Sequence, residues 1–242
     1  MMKELLRRFA AWSGFFRCPV CMKHSGNGQN EICPECRKKL PLLPVKDRCT
    51  GCGGPNHSAL AVCPACMEFP QRPYKDALAV MEYTGGGRTL IQKMKFCNHP
   101  ELTRPLALLA LEKLKESQME FDVIVPVPLH WKRFLVRSYN QTDLLAHLLS
   151  RATGKKVVQG LKKIRSTPHQ SRLKKSDRQK NLKHSFALRD PAFAGKTVLL
   201  IDDVITTGAT ASVASQILLN NGAKAVKLLC CARTPLKAGS TR

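Results

Sequence analysis

Eight of the eleven cysteines in this 242-residue chain form four Cys-x-x-Cys pairs. Two residues between the thiols make a tight turn that presents both sulfurs to one ion, and two such pairs complete the tetrahedral set of four thiolates that Zn²⁺ prefers. The pattern predicts two structural zinc sites, because four thiolates leave no open position for a catalytic water. The predicted ligands are Cys18, Cys21, Cys33, Cys36, Cys49, Cys52, Cys63 and Cys66.

The spacing leaves several details of this metal chemistry open. One zinc ion with redundant ligands, or an iron–sulfur cluster, would use the same soft thiolates. Sequential pairing of the first four and the last four cysteines keeps the closed loops short, and a crossed arrangement remains an alternative. His24 and His57 lie within reach of the pairs, and we interpret both as bystanders because cysteines are in excess.

Residues 198–210 form a second group that could do chemistry, and they read Val-Leu-Leu-Ile-Asp-Asp-Val-Ile-Thr-Thr-Gly-Ala-Thr. The apolar half predicts a strand that delivers Asp202 and Asp203 to the carboxyl edge of a sheet, where open α/β folds bind ligands. The loop Thr206–Thr210 enters a predicted helix, and N–H groups at a helix start can cradle a phosphate. No Gly-Lys-Ser/Thr stands at the spacing of a Walker loop. Carboxylates beside a phosphate-binding loop can accept hydrogen bonds from ribose hydroxyls. We therefore expect both aspartates to bind a ligand and not to stabilise the fold.

This run resembles the phosphoribosyl-pyrophosphate (PRPP) loop of type I phosphoribosyltransferases over all 13 positions. The resemblance implies that the two acidic residues hold the ribose 2- and 3-hydroxyls and that the following loop holds the 5-phosphate. It also implies Mg²⁺ as the companion of the bound PRPP. The residues that it assigns to PRPP binding are Asp202, Asp203, Thr206, Thr207, Gly208, Ala209 and Thr210.

Further motifs, in the same order along the chain, resemble the ComF family of bacterial proteins. They follow the cysteine pairs and comprise residues 93–96, 125–129, 137–141, 167–170 and 178–181. Many relatives have Gly and Phe where this chain has Ser138 and Tyr139, which are mild departures. The family is associated with competence for DNA uptake, so the resemblance implies a protein that supports natural transformation.

Several of these motif residues are candidates for the pyrophosphate or base side of the ligand. Val127, Pro128 and Leu129 end a predicted buried strand at the edge that carries the carboxylates. A second set stands at a predicted helix start, where it could hold an anion or a base, with helix capping as the alternative: Arg137, Asn140 and Gln141. Arg178 belongs to the basic segment 162–183, which we expect to close over pyrophosphate or to follow a DNA backbone, with a solvated loop as the alternative.

The elements around these motifs predict strands that alternate with helices, hence a largely parallel sheet covered on both faces. Gly85–Gly87 is predicted to break the first strand. The predicted strands are Ala77–Tyr83, Phe121–Pro126, Val157–Val158, Lys196–Asp202 and Ala225–Ala232. The predicted helices are Arg88–Phe96, Glu101–Glu116, Gln141–Arg151 and Ala209–Asn221.

The predicted fold class is therefore α/β, a type I phosphoribosyltransferase-like domain with a mostly parallel sheet behind a small Cys-rich double zinc-ribbon domain. We place the zinc ribbons in residues 1–70 and the transferase-like domain in residues 75–235. The predicted linker between the two domains is Phe69–Tyr74. Leu40–Pro44 is predicted to connect the two ribbons.

The formal net charge of +23 predicts attraction to polyanions, and two zinc–thiolate units would still leave +19. The expected partners are PRPP, single-stranded DNA and a helicase-type competence protein. We expect a cytoplasmic protein without a membrane span, because reduced or metal-bound thiols fit a reducing compartment and no apolar run is long enough. The alternatives are an active phosphoribosyltransferase of nucleobase salvage and a binding module that senses the ligand.

Overall fold

The computed structural model describes residues 18, 20–23, 32–68, 72–96, 99–129, 139–164 and 185–235. The helices are α1 (Pro34–Lys38), α2 (Pro64–Met67), α3 (Gly85–Phe96), α4 (Thr103–Ser117), α5 (Gln141–Thr153) and α6 (Ala209–Asn220), with a 3₁₀ turn at Pro100–Leu102 before α4. The strands are β1 (Asp76–Glu82), β2 (Val123–Pro126), β3 (Lys156–Val157), β4 (Leu161–Lys163), β5 (Phe186–Leu188), β6 (Thr197–Ile205) and β7 (Ala225–Arg233). Within these ranges, no helix combines the length and the apolar character that crossing a membrane requires.

Five strands form one sheet in the order β1-β7-β6-β2-β3, and every neighbouring pair is parallel. The central strands β6 and β7 contain the buried runs Val198–Ile201 and Leu228–Ala232. Such continuous apolar runs are typical of parallel strands that are covered on both faces. The α/β prediction with a mostly parallel sheet is therefore confirmed.

Helices cover both faces of this sheet. On one face α3, α4 and α5 supply Leu90, Leu106 and Leu145 to a single buried cluster. On the other face α6 and the antiparallel pair β4–β5 pack around Phe193 and Leu218. The carboxyl ends of β2 and β6 therefore lie between two well-packed layers.

Two element boundaries differ from those that the sequence predicts. Strand β1 ends at Glu82, before the three glycines, but the glycines already belong to α3, which begins at Gly85 and not at Arg88. A Cβ on Gly87 would lie 2.5 Å from the carbonyl oxygen of Glu82, so glycine lets the first turn approach the strand closely. Strand β6 also continues beyond Asp202 to Ile205, so both aspartates belong to the strand.

The segment Leu40–Pro44, predicted as a connector, also packs along β1. The Leu43 amide donates to the Val80 carbonyl at 3.0 Å, and the Glu82 amide donates to the Pro41 carbonyl at 2.8 Å. Leu40 and Leu43 are buried in the clusters on the two faces of the sheet. This segment therefore covers a strand edge that would otherwise present unpaired backbone groups.

Candidate functional site

The loop between β6 and α6 lies at the carboxyl end of a central strand. Gly208 is the residue before the helix, with a left-handed φ of 78° and with its carbonyl accepting from the Ser212 amide at 2.8 Å. The Thr207 hydroxyl accepts from the Ala209 amide at 3.4 Å. The predicted phosphate-loop residues thus stand together at the amino terminus of a 12-residue helix, where the helix dipole favours an anion.

Gly208 is required at this position for two independent reasons. Its positive φ is one that side chains with a Cβ rarely adopt. A Cβ would also lie 3.0 Å from the Tyr74 hydroxyl and 3.1 Å from Nη1 of Arg72. The loop is therefore packed against the chain segment that precedes β1.

The adjacent carboxylates of Asp202 and Asp203 point to opposite faces of the sheet, as successive strand residues do. Asp203 faces α3 and α5, where its Oδ1 lies 2.7 Å from Lys95 Nζ and its Oδ2 lies 3.5 Å from Gln141 Nε2. The Lys95 and Asp203 side chains are 16% and 19% exposed. Asp203 therefore already has a cationic partner within the fold, and its assignment to ligand binding stays a prediction.

Asp202 lies on the other face and is half-buried. Its Oδ1 accepts from the Asp203 amide at 2.8 Å. Burial and the neighbouring Asp203 charge raise the pKa of Asp202 to about 7, against the opposing influence of Lys95 and Lys163. The protonated form of Asp202 is therefore favoured more than it is for an aspartate in water, although the residue stays partly exposed near the strand end.

The end of β2 and the start of α5 lie beside Asp203 and are hydrogen-bonded to each other. The Val127 carbonyl accepts from the Thr142 hydroxyl at 2.7 Å and from Asn140 Nδ2 at 3.4 Å. The Val127 amide donates to the Ile201 carbonyl at 2.9 Å, which fixes the β2 end against β6. Asn140 is the N-cap residue of α5, but within the described structure its side chain makes no bond to a helix amide, and its Oδ1 accepts from the Thr142 hydroxyl at 2.8 Å.

The structure says less about the remaining candidates for the pyrophosphate or base side. Pro128 and Leu129 follow Val127 and are half-buried. Arg137 and Arg178, together with most of the basic segment, lie outside the described residues. Lys95 lies in the 93–96 motif, but the motif alone indicates no role for it, and no sequence pattern indicates Arg72 or Thr142. A basic residue in the last turn of α3 was the available signal for Lys95.

The eight predicted metal ligands form two separate clusters. In each cluster the sulfur atoms lie within 4.8 Å of one another. The sulfurs of Cys21 and Cys33, and those of Cys52 and Cys63, are 3.9 Å apart. A tetrahedral ion with bonds of about 2.3 Å to sulfur separates its ligands by about 3.8 Å, so both clusters fit Zn²⁺. The first cluster comprises Cys18, Cys21, Cys33 and Cys36, and the second comprises Cys49, Cys52, Cys63 and Cys66.

Sequential grouping of the cysteines is confirmed, and the clusters use local structure to hold their sulfurs. Cys33 and Cys63 stand immediately before α1 and α2, each of which begins with proline. In the second cluster the amides of Gly51 and Cys63 donate to the Cys49 sulfur at 3.3 and 3.1 Å. Bonds from the Cys52 and Cys66 side chains lower the pKa of Cys49, which favours the thiolate that a metal needs. His57 is exposed and outside both clusters, and His24 lies outside the described residues.

The second cluster is joined to the phosphate loop by Arg72. Nη1 of Arg72 donates to the Gly51 carbonyl, between two of the cluster's ligands, and to the Tyr74 hydroxyl at 2.8 Å. Nη2 of Arg72 donates to the Thr207 carbonyl at 3.4 Å. The Tyr74 hydroxyl in turn donates to the Gly51 carbonyl at 2.8 Å. One guanidinium thus contacts both the metal-binding turn and the loop.

A parallel sheet with a hydroxyl-rich loop between β6 and α6 defines the class of a phosphoribosyltransferase-type domain. Residues 142–240 match the family described as "Phosphoribosyl transferase domain". The chain is 33% identical over 231 residues to "DNA utilization protein YhgH" of Salmonella typhi, and the match covers 90% of this chain and 95% of the relative. It is 31% identical, over 222 residues, to "Competence protein F" of Haemophilus influenzae, covering 88% and 95%. The chain belongs to the ComF family.

A solved purine phosphoribosyltransferase from Pyrococcus horikoshii is also similar. It shares 22% sequence identity and a TM-score of 0.34, and the match covers 57% of this chain and 77% of that one.

Proposed function

We propose that this protein binds PRPP with Mg²⁺ at the β6–α6 loop and supports the use of DNA taken up by the cell. The observation that carries the proposal is the left-handed Gly208 at the start of α6, shortly after a strand that carries Asp202 and Asp203 in its last four residues. A helix start with free amides attracts a phosphate, and an accessible carboxylate beside it accepts ribose hydroxyls.

The two carboxylates take different roles in this proposal. Asp202 is accessible and accepts hydrogen bonds from the ribose hydroxyls. Asp203 is held by Lys95 and Gln141, so it keeps the strand end in register with α3 and α5 and contacts the ligand from that fixed position. Thr206–Thr210 hold the 5-phosphate through amides and hydroxyls. Mg²⁺ accompanies the pyrophosphate and neutralises its charge, and carboxylate oxygens are the ligands that this hard ion prefers.

The DNA part of the proposal depends on charge and on the relatives. A formal charge of +23 gives strong attraction to a phosphate backbone at low salt. Relatives that match nearly the whole chain are named for DNA utilization and for competence. Single-stranded DNA is therefore the proposed macromolecular partner, with a helicase-type protein of the same process as a further partner.

The second candidate function is phosphoribosyl transfer in nucleobase salvage. The retained loop and the accessible Asp202 favour it, because this chemistry needs positioned phosphates and charge stabilisation more than a protein nucleophile. The protein would move ribose 5-phosphate from PRPP onto a nucleobase and release pyrophosphate.

Two measurements test these proposals. Calorimetric titration with PRPP and Mg²⁺ should show binding by the wild type and a loss of at least roughly tenfold in Asp202→Asn. Absence of binding by the wild type would refute the ligand. Pyrophosphate release, assayed with each nucleobase and with single-stranded DNA, then separates the two functions: release with a base supports salvage, and binding without release supports a non-catalytic role.

A further inference from the structure

Arg72 spans two parts of the protein that are remote in sequence. Its Nη1 donates to the Gly51 carbonyl in the second cysteine cluster, and its Nη2 donates to the Thr207 carbonyl in the phosphate loop, 135 residues away along the chain. Arginine is suited to this position because its planar fork offers several donors in fixed directions, which a lysine cannot do.

The contact at Thr207 determines how the loop presents its backbone. In a trans peptide the C=O and the following N–H point in opposite directions. With the Thr207 carbonyl directed at Arg72, the Gly208 N–H is therefore directed away from Arg72. An N–H group that is fixed in this way loses little entropy when an anion binds it. Arg72 thus pre-orients the loop without having to contact the ligand.

The contact at Gly51 depends on the cysteine cluster. Gly51 lies between the ligands Cys49 and Cys52, and its amide donates to the Cys49 sulfur at 3.3 Å. A Cβ on Gly51 would lie 3.3 Å from both Cβ and Sγ of Cys66, so the turn is closely packed on the cluster. The position of the Gly51 carbonyl is therefore set by the arrangement of the four sulfurs, and a metal ion fixes that arrangement.

Tyr74 adds a second link between Arg72, the Gly51 carbonyl and the loop. Its side chain is 4% exposed, and its hydroxyl accepts from Arg72 at 2.8 Å while donating to the Gly51 carbonyl at 2.8 Å. The same hydroxyl faces Gly208, where a Cβ would approach it to 3.0 Å. The turn, the guanidinium, the phenol and the loop are consequently packed as one unit.

We propose that Arg72 is a positioning residue through which metal in the second cysteine cluster sets the affinity of the phosphate loop for its ligand. The proposal rests on PRPP binding as the proposed function. The metal-binding region is then part of the ligand site's construction, and loss of its metal weakens ligand binding at a loop that the metal never touches.

The test compares Arg72→Gln and Arg72→Lys with a matched arginine. Arg48 also joins the second-cluster region to the sheet, through the carbonyls of Val45 and Ala77 at 3.0 and 3.2 Å, and among the described residues it makes no hydrogen bond to the loop. Both Arg72 variants should bind PRPP with Mg²⁺ roughly tenfold more weakly while keeping their zinc. Arg48→Gln should lower the melting temperature and leave PRPP affinity unchanged. Wild-type affinity in Arg72→Lys would overturn the proposal, because that variant keeps the charge and loses the fork.

Metal dependence is tested with Cys63→Ser and with the double variant Cys63→Ser/Arg72→Gln. The cysteine variant should lose the zinc of the second cluster and as much PRPP affinity as Arg72→Gln, and the double variant should lose no more than either. Additive losses would show that the two residues act separately and would overturn the coupling.

Hydrogen exchange keeps the inference separate from the proposed function. The amides of Thr206–Thr210 should exchange faster in Arg72→Gln than in wild type or Arg48→Gln, without any ligand present. If wild type fails to bind PRPP, the proposed function fails, and this measurement still decides whether Arg72 orders the loop. Equal exchange in the three proteins would overturn the inference even if PRPP binds.

Discussion

Lys95 Nζ lies 2.7 Å from Asp203 Oδ1, which joins the last turn of α3 to the carboxyl end of β6. Both side chains are less than one-fifth exposed, so each charge depends on the other. The neighbouring Asp202 has its carboxylate on the other face of the same strand. Two adjacent residues of one motif therefore have different surroundings, and we expect Asp203 to contribute more to stability than Asp202 does.

Asp203→Asn should lower the free energy of unfolding by about 1–3 kcal/mol, because the Lys95 ammonium loses a charged partner in a largely buried position. Asp202→Asn should change it far less at pH 7 and should weaken PRPP binding by roughly tenfold or more. Urea unfolding and calorimetric titration of the two variants measure both quantities. Adding Lys95→Met to Asp203→Asn should recover part of the stability, and a further loss would contradict the ion-pair account.

The raised pKa of Asp202 predicts how stability changes with pH. Between about pH 4 and 7 the folded protein holds a proton on Asp202 that the unfolded chain has released, so the free energy of unfolding decreases as pH rises through this range. Asp202→Asn removes this titration. Compared with wild type, the variant should gain stability from pH 5 to pH 8, as measured by urea unfolding at both values. A constant difference between the two proteins would show that burial does not hold the proton.

Gly208→Ala should lower the free energy of unfolding by more than the roughly 1 kcal/mol expected for a Cβ at positive φ, because Tyr74 and Arg72 must also shift. Gly195→Ala is the matched control, since Gly195 has a φ of 71° and a Cβ there would meet nothing within 4 Å. The control should show the backbone cost alone and normal PRPP binding. Equal effects of the two substitutions on PRPP affinity would contradict the packing of the loop.

Purified protein should contain close to two zinc ions per chain. Cys33→Ser and Cys63→Ser should each remove about one of them, because the two clusters share no ligand. Chelation should reduce solubility, since such turns fold on their metal. Elemental analysis checks the count. One ion or none in wild type, or the visible absorption of an iron–sulfur cluster, would contradict the prediction.

Single-stranded DNA should bind with a steep salt dependence and little sequence preference. Replacing Lys174, Lys175 and Arg178 together with Ala should flatten the plot of log affinity against log salt by up to about 2, at roughly 0.7 per lost phosphate contact. This segment lies outside the described residues, so the prediction comes from the sequence alone.

The matched control for that variant removes the same charge from exposed sites elsewhere, with Lys115, Lys155 and Lys224 changed to Ala. Fluorescence anisotropy at several salt concentrations gives both slopes. Equal slopes for the two triple variants would place the DNA contact outside the basic segment, and an absence of binding at low salt would remove DNA as a direct partner.

The features that the sequence predicts well are local ones. The residues of each cysteine cluster and of the β6–α6 loop are close together in the sequence, so their spacing predicts how they are arranged. Lys95 and Arg72 were missed because their partners Asp203 and Thr207 lie 108 and 135 residues away, where no local pattern links them.

Errors in the predicted elements have the same physical origin. The helix after β1 was predicted to begin at Arg88, but it begins at Gly85, because close packing of Gly87 on β1 outweighs the low helix propensity of glycine. The strands β4 and β5 were not predicted, because three residues are too few for an alternating pattern to be visible.

Strand β1 pairs with β7 in the finished sheet, with Asp76 beside Lys227. During synthesis the ribosome therefore releases β1 long before its hydrogen-bonding partner exists. The cysteine clusters close over short stretches of chain and can capture metal as soon as they emerge. The segment Leu40–Pro44 is also made before β1 and can cover one edge of it at once. During translation the amino-terminal region can therefore cover an exposed edge of β1 until β7 has been synthesised.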